Sequence, residues 1–123
     1  MIIADTTIWI DHLRSADPTL ARLAAGAELL MHPFVVGELS LGSIAKRTQR
    51  LKEWADLPRA KVLRHDDILT FVEVNRLYSR GIGYTDVNLL ASAATSDGVQ
   101  LWTRDGSLKK LAGEFGVLAR LDH

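Results

Sequence analysis

The chain contains no cysteine, and this absence excludes disulfide bonds, thiol nucleophiles and thiolate-bound metal ions. Its 15 basic and 15 acidic side chains leave a formal net charge of zero, so any basic patch for nucleic acid has to be formed locally. No apolar run reaches the length of a membrane-spanning helix, and the first residues do not follow the pattern of a secretory signal. These absences predict a cytoplasmic protein without a membrane partner.

The 123 residues are 47% hydrophobic and 24% charged, which is typical of a globular domain with a substantial core. No repeat, low-complexity tract or linker divides the chain, so we expect a single domain over residues 1–123. Short apolar runs alternate with longer segments of helical periodicity, which predicts an α/β fold with a mainly parallel sheet. Strands are expected at Ile2–Ala4 and in the segments AELLMH, AKVLR, VQLWT and VLARL.

Three acidic residues follow strands or begin helices in this pattern. Asp5 comes directly after the first strand, and Asp105 follows the strand VQLWT. The carboxyl ends of parallel strands meet at one edge of a sheet, and ligands bind there. Asp86 begins a helix rich in small residues, which can pack closely against the sheet. We therefore expect these three carboxylates to lie near one another.

Glu38 lies on a segment, residues 33–45, that is predicted to be helical despite two glycines. The helical period places it on one face with three apolar residues, Phe34, Leu41 and Ala45. This pattern predicts that Glu38 occupies a position facing the core. A buried carboxylate there needs a cation or strong hydrogen-bond donors.

Four carboxylates at one sheet edge repel one another, and a hard divalent cation such as Mg²⁺ or Mn²⁺ offsets that repulsion. A site of this kind suits phosphodiester hydrolysis, because the cation activates water and neutralises charge that develops on the phosphate. Each acid also has a simpler interpretation as a helix cap, a turn residue or an exposed helix residue. Their combination favours the metal site.

Four segments, in this order, resemble the motifs of the PIN-domain nucleases: IIADTTIWID, VVGELSLG, GIGYTDVNLLASA and LWTRDGSLKKLA. Within that family they resemble the toxins of bacterial VapBC toxin–antitoxin systems, and the likeness covers nearly the whole chain. It implies a PIN-like three-layer fold with a central sheet of four to five strands flanked by helices. It further implies an endoribonuclease acting on structured RNA, often transfer RNA, a homodimer, and a cognate VapB-type antitoxin that blocks the site.

The resemblance also implies roles for particular residues. The implied ligands of Mg²⁺ or Mn²⁺ are the four acids, Asp5, Glu38, Asp86 and Asp105, and the implied accessory hydroxyls are those of Thr7 and Thr103. Many relatives carry a further acid two residues after the position of Asp105, where this chain has Ser107. A second metal ion is therefore expected to bind weakly or only with substrate.

The basic residues Lys46, Arg47 and Arg50 fall in one helical stretch after Glu38. A solvated charged face is the default interpretation, and contact with RNA phosphates is the alternative. Two tryptophans, Trp9 and Trp54, have apolar neighbours at helical spacing, which favours a place in the core or a dimer interface.

Two other functions remain open on the sequence alone. A catalytically silent PIN-fold module would bind RNA or a partner protein without turnover. A phospho-receiver domain shares the length and the α/β alternation, but it requires two adjacent acids after the first strand and a lysine after the last. Here Asp5 is followed by Thr6, and no lysine ends VLARL.

Overall fold

A computed structural model describes residues 1–122, and His123 lies outside the described residues. Three parallel strands form the sheet, in the order β2-β1-β3: β1 (Ile2–Ala4), β2 (Leu29–Leu30) and β3 (Gln100–Trp102). Seven helices within residues 1–122 flank it: α1 (Thr6–Arg14), α2 (Pro18–Ala25), α3 (Pro33–Ser40), α4 (Arg47–Asp56), α5 (His65–Asn75), α6 (Tyr84–Ala94) and α7 (Gly106–Glu114). The predicted α/β fold with a parallel sheet is confirmed.

The prediction of four to five strands is wrong for the described residues, because two of the expected strands shorten to single bridges. The segment around AKVLR contributes one parallel bridge, from Arg59 to Met31, and VLARL contributes one from Leu118 to Leu101. The edge strand β2 is only two residues long because His32 caps α3 directly after Met31. The segment after α4 therefore has almost no strand to pair with.

The core is centred on α6 and the middle of the sheet. Residues 87–93 of α6 are all buried, and this run contains the small residues that allow the helix to lie against β3. Ile3 and Leu101, from adjacent strands, are fully buried in the same core. Trp9 and Trp54 are also buried, with ring centroids 5.9 Å apart, which places both in the core, one of the two locations predicted for them. None of the helices within residues 1–122 is both long and apolar enough to span a lipid bilayer.

His32 connects β2 to the helix that carries Glu38. Its Nδ1 accepts a hydrogen bond from the Phe34 N–H at 3.1 Å, so the imidazole is the N-cap of α3. The side chain is only 1% exposed, and burial lowers the pKa of His32 to about 4. Because Nδ1 accepts and the ring is neutral at pH 7, the proton resides on Nε2.

This buried histidine predicts a loss of stability in mild acid. Between pH 6.5 and pH 4 the unfolded chain takes up a proton at His32 that the folded protein does not, so the free energy of unfolding falls as pH falls. Between pH 7 and pH 5 the contribution is about 2 kcal/mol. His32→Asn keeps a side-chain oxygen that can cap α3 and removes the titration. We expect urea unfolding to show a smaller loss over this interval in His32→Asn than in the wild type, and equal losses would contradict the assignment.

Candidate active site

Asp5 is a buried carboxylate at the carboxyl end of β1. It is 2% exposed and also caps α1, because its Oδ1 accepts from the Ile8 N–H at 3.2 Å. Two hydroxyls complete its partners: Thr7 Oγ1 donates to Oδ1 at 2.5 Å, and Thr103 Oγ1 donates to Oδ2. Burial raises the pKa of Asp5, and the hydrogen bonds from Thr103 and Thr7 act in the opposite direction. The two predicted accessory threonines therefore both contact the predicted ligand Asp5.

The same threonines join the ends of β1 and β3. Thr103 Oγ1 accepts from the Asp105 N–H at 3.0 Å while donating to Asp5. Thr7 Oγ1 accepts from the Arg104 N–H at 3.1 Å while donating to the other oxygen of Asp5. Asp105 caps α7 through Oδ1, which accepts from the Leu108 N–H at 2.9 Å. This capping interaction uses a single carboxylate oxygen of Asp105.

Asp86 and Glu38 approach this pair from two other helices. Asp86 lies in the first turn of α6. Burial, together with the negative charges of Asp105, Asp5 and Glu38, raises the pKa of Asp86 to about 6. Glu38 is connected to the same region through Thr6, whose Oγ1 donates to Glu38 Oε1 at 2.6 Å. The structure thus places the other three predicted acids within electrostatic range of Asp86. The hydrogen bond from Thr6 to Glu38 was not predicted from the sequence.

The prediction that Glu38 faces the core is wrong. The helix α3 ends at Ser40 rather than continuing to residue 45, and its buried residues are Val35 and Leu39. Glu38 and Leu41 are both exposed. The apolar residues of α3 surround most of the helix, so their spacing does not determine which face turns inward. Exposure leaves the Glu38 side chain with one anchoring hydroxyl and access to solvent.

The fit of the four carboxylates to a divalent cation depends on their separation and on their chemistry. No three Asp, Glu or His side chains of residues 1–122 lie close enough together to enclose one ion in this arrangement. Three of the carboxylates nevertheless act electrostatically on the fourth, that of Asp86, and carboxylate oxygens are the ligands that Mg²⁺ and Mn²⁺ prefer. Repulsion between like charges favours such separation, and a cation reverses it. The chemistry of these residues therefore fits a hard divalent ion.

Arg104, between Thr103 and Asp105, forms a cluster that sequence reasoning did not anticipate. Its guanidinium donates four hydrogen bonds to three carboxylates, at 2.7 to 3.2 Å: those of Asp11, Asp17 and Asp122. The guanidinium carbon also lies 5.5 Å from the centre of the Trp102 ring. These interactions connect α1, the cap of α2 and the end of the chain to the strand end that carries Thr103. These carboxylates are distant from Arg104 in the sequence, so no local sequence pattern predicts the contacts.

The three basic residues predicted to contact RNA lie at the start of α4. Arg47 donates to the Gly42 carbonyl at 3.4 Å, and Arg50 forms an ion pair with Glu53 at 3.3 Å. Lys46 precedes the helix with a left-handed backbone, at φ 53°. Arg47 and Arg50 therefore have partners within the protein, and contact of the three residues with RNA stays a prediction.

Comparison with known proteins agrees with this architecture. The PIN domain family matches residues 2–114. The chain therefore belongs to the PIN-domain family. It is similar to Ribonuclease VapC32 of Mycobacterium tuberculosis, from strains CDC 1551 / Oshkosh and ATCC 25618 / H37Rv, with 46% identity over 117 residues. The alignment covers 95% of this chain and 94% of each relative. The resemblance to the VapC-type toxins is confirmed, and the phospho-receiver interpretation is wrong.

Removing the charge of Asp86 is expected to stabilise the metal-free protein. Its pKa of about 6 means that the ionised carboxylate destabilises the folded state above pH 6, and the penalty fades as pH falls from 6 to 4. At pH 8 in EDTA, Asp86→Asn is expected to raise the melting temperature, by about 3–6 °C for each kcal/mol of repulsion removed. The control Asp97→Asn changes an exposed aspartate outside the cluster and leaves the value unchanged. A lower melting temperature for Asp86→Asn would contradict the proposed repulsion.

A second prediction concerns the three carboxylates around Arg104. Arg80 is a matched control, because its side chain is 35% exposed against 32% for Arg104, yet it pairs with one carboxylate, that of Glu114. Replacement by Met keeps the apolar stem in each case. We expect Arg104→Met to lower the free energy of unfolding by about 1–2 kcal/mol more than Arg80→Met. Chemical denaturation measures the free energy of unfolding of both variants. Equal losses would show that the three carboxylates around Arg104 add no stability beyond that of a single ion pair.

Proposed function

We propose that this protein is a Mg²⁺- or Mn²⁺-dependent endoribonuclease that acts as a toxin on structured RNA, with transfer RNA as the substrate class. The observation that supports the proposal is the link from Asp5 through Thr103 to Asp105 at the ends of β1 and β3, with Asp86 within electrostatic range of both and of Glu38. The 46% identity to a protein named as a ribonuclease supports the same activity. A VapB-type antitoxin that neutralises the site and a homodimeric state belong to the proposal by the same similarity.

The four carboxylates are held with different rigidity, and this difference gives each a different part in binding the cation. Asp5 and Asp105 are fixed by hydrogen bonds from Thr103, Thr7 and backbone N–H groups, so they define the position of the main cation. Glu38 is exposed and anchored through Thr6, so it can turn toward a cation as it binds. Asp86 completes the set or holds a second ion.

When bound, the cation activates water and neutralises charge developing on the scissile phosphate. The chain's own residues supply the conditions for that chemistry. Thr7 and Thr103 direct their hydrogens to the two oxygens of Asp5 and stabilise its ionised form despite burial. The neighbouring carboxylates raise the pKa of Asp86, so a divalent cation gains affinity by relieving that repulsion.

Cleavage of RNA tests the activity and the assignment together. Wild-type protein is incubated with total RNA and with transfer RNA, in Mn²⁺, in Mg²⁺ and in EDTA. Discrete fragments are expected in the two metal ions and none in EDTA. Glu38→Gln and Asp86→Asn are expected to lower the rate by more than about 100-fold, because each removes a carboxylate proposed to bind the cation.

The control for this assay is Glu28→Gln, since Glu28 is exposed at the opposite, amino end of β2 and is expected to leave cleavage unchanged. Wild-type rates in both site variants would contradict the assignment of the acids. Binding of Mn²⁺ by calorimetry without cleavage of any RNA would instead favour the catalytically silent module.

A further inference from the structure

Three aromatic rings from three helices meet at the surface. The Tyr84 ring centre lies 6.0 Å from that of Phe34 and 5.4 Å from that of His65. The Tyr84 hydroxyl is 2.6 Å from His65 Nδ1, which fixes the rotation of the ring. Tyr84 is nevertheless 44% exposed. We call these three residues the aromatic cluster, and its central ring is held by protein contacts while part of it remains open to solvent.

The aromatic cluster adjoins the acids because the same helices carry both. Phe34 precedes Glu38 by one turn of α3, so the two side chains share a face of that helix. Tyr84 begins α6, two residues before Asp86. Phe34 packs against the Tyr84 ring, so a nucleotide whose phosphate reaches Glu38 with a bound cation has the aromatic cluster within about one helical turn.

The exposed charges around His65 balance in part. Arg64 precedes His65 and Asp66 and Asp67 follow it, and none of the three forms an ion pair within the described part of the chain. The planar ring of Tyr84 therefore carries the match to a nucleotide, because it offers a face to the base. A base inside a duplex presents no free face for stacking, whereas an unpaired base does.

We propose that the exposed part of Tyr84 stacks with an unpaired base of the RNA beside the scissile phosphate. The inference rests on the proposed function and deepens it, because it assigns the substrate at this position to an unpaired nucleotide of a loop, bulge or end. His65 and Phe34 position the ring, and Tyr84 makes the contact. Stacking accepts every base, so this contact contributes affinity with little sequence preference.

Equilibrium binding in EDTA tests the proposal, since no cleavage interferes. Fluorescence anisotropy measures the Kd of the full chain for a labelled single-stranded RNA 12-mer and for the duplex of the same sequence. Tyr84→Ala is expected to raise the Kd for the single strand by about 10-fold to 100-fold. Tyr84→Phe and Tyr84→Trp keep a ring and are expected to stay within about threefold of the wild type. The duplex Kd is expected to be the same for all four proteins.

The matched control is Tyr78→Ala, because Tyr78 is 55% exposed and lies beyond the end of α5, outside the aromatic cluster. It is expected to leave both Kd values unchanged. An unchanged single-strand Kd in Tyr84→Ala, or an equal loss for single strand and duplex, overturns the stacking contact while the ribonuclease proposal stands. A wild-type protein that binds neither RNA in EDTA overturns the stacking contact, and the cleavage assay in Mn²⁺ and Mg²⁺ decides the proposed function separately. If Tyr84→Ala changes the sedimentation of the protein but not its RNA affinity, the ring lies in a protein–protein interface. That outcome also overturns the inference.

Discussion

The buried carboxylate of Asp5 is the constraint on which the site and the adjoining part of the fold depend. A charge that is 2% exposed needs donors, and they come from α1 and from the residue directly after β3. Thr103 reaches Asp5 because β1 and β3 pair in parallel with Ala4 opposite Trp102. The same hydrogen bonds that stabilise the buried charge therefore fix the register of two strand ends.

The other acids are arranged around this fixed charge with decreasing constraint. Asp105 is joined to Asp5 through a single threonine, and Asp86 experiences the charges of all three other acids. Glu38 is exposed and has one hydroxyl partner. This gradation, from the rigid carboxylate of Asp5 to the exposed carboxylate of Glu38, suits a site that closes around a divalent cation. Repulsion among the same carboxylates connects the stability of the metal-free protein to the activity proposed for it.

The sequence was sufficient to predict the acids at the sheet edge, because strand ends and helix starts follow from local patterns around Asp5 and Asp105. It also indicated both accessory threonines through the family resemblance. The exposure of Glu38 could not be predicted, since apolar residues on several faces of α3 leave its buried face undetermined. The shortness of the outer strands could not be predicted either, because the length of a strand depends on its partner strand. The carboxylates around Arg104 could not be predicted, because 87 to 93 residues separate it from two of them.

The most direct test of the central claim is the pKa of Asp86 measured by carboxyl NMR, first in EDTA and then with saturating Mg²⁺. We expect a value of about 6 in the metal-free protein and a fall below the ordinary aspartate range when the cation binds. A metal-free pKa near 4 that does not change on addition of Mg²⁺ would show that the four carboxylates do not form one electrostatic site, and it would contradict the account.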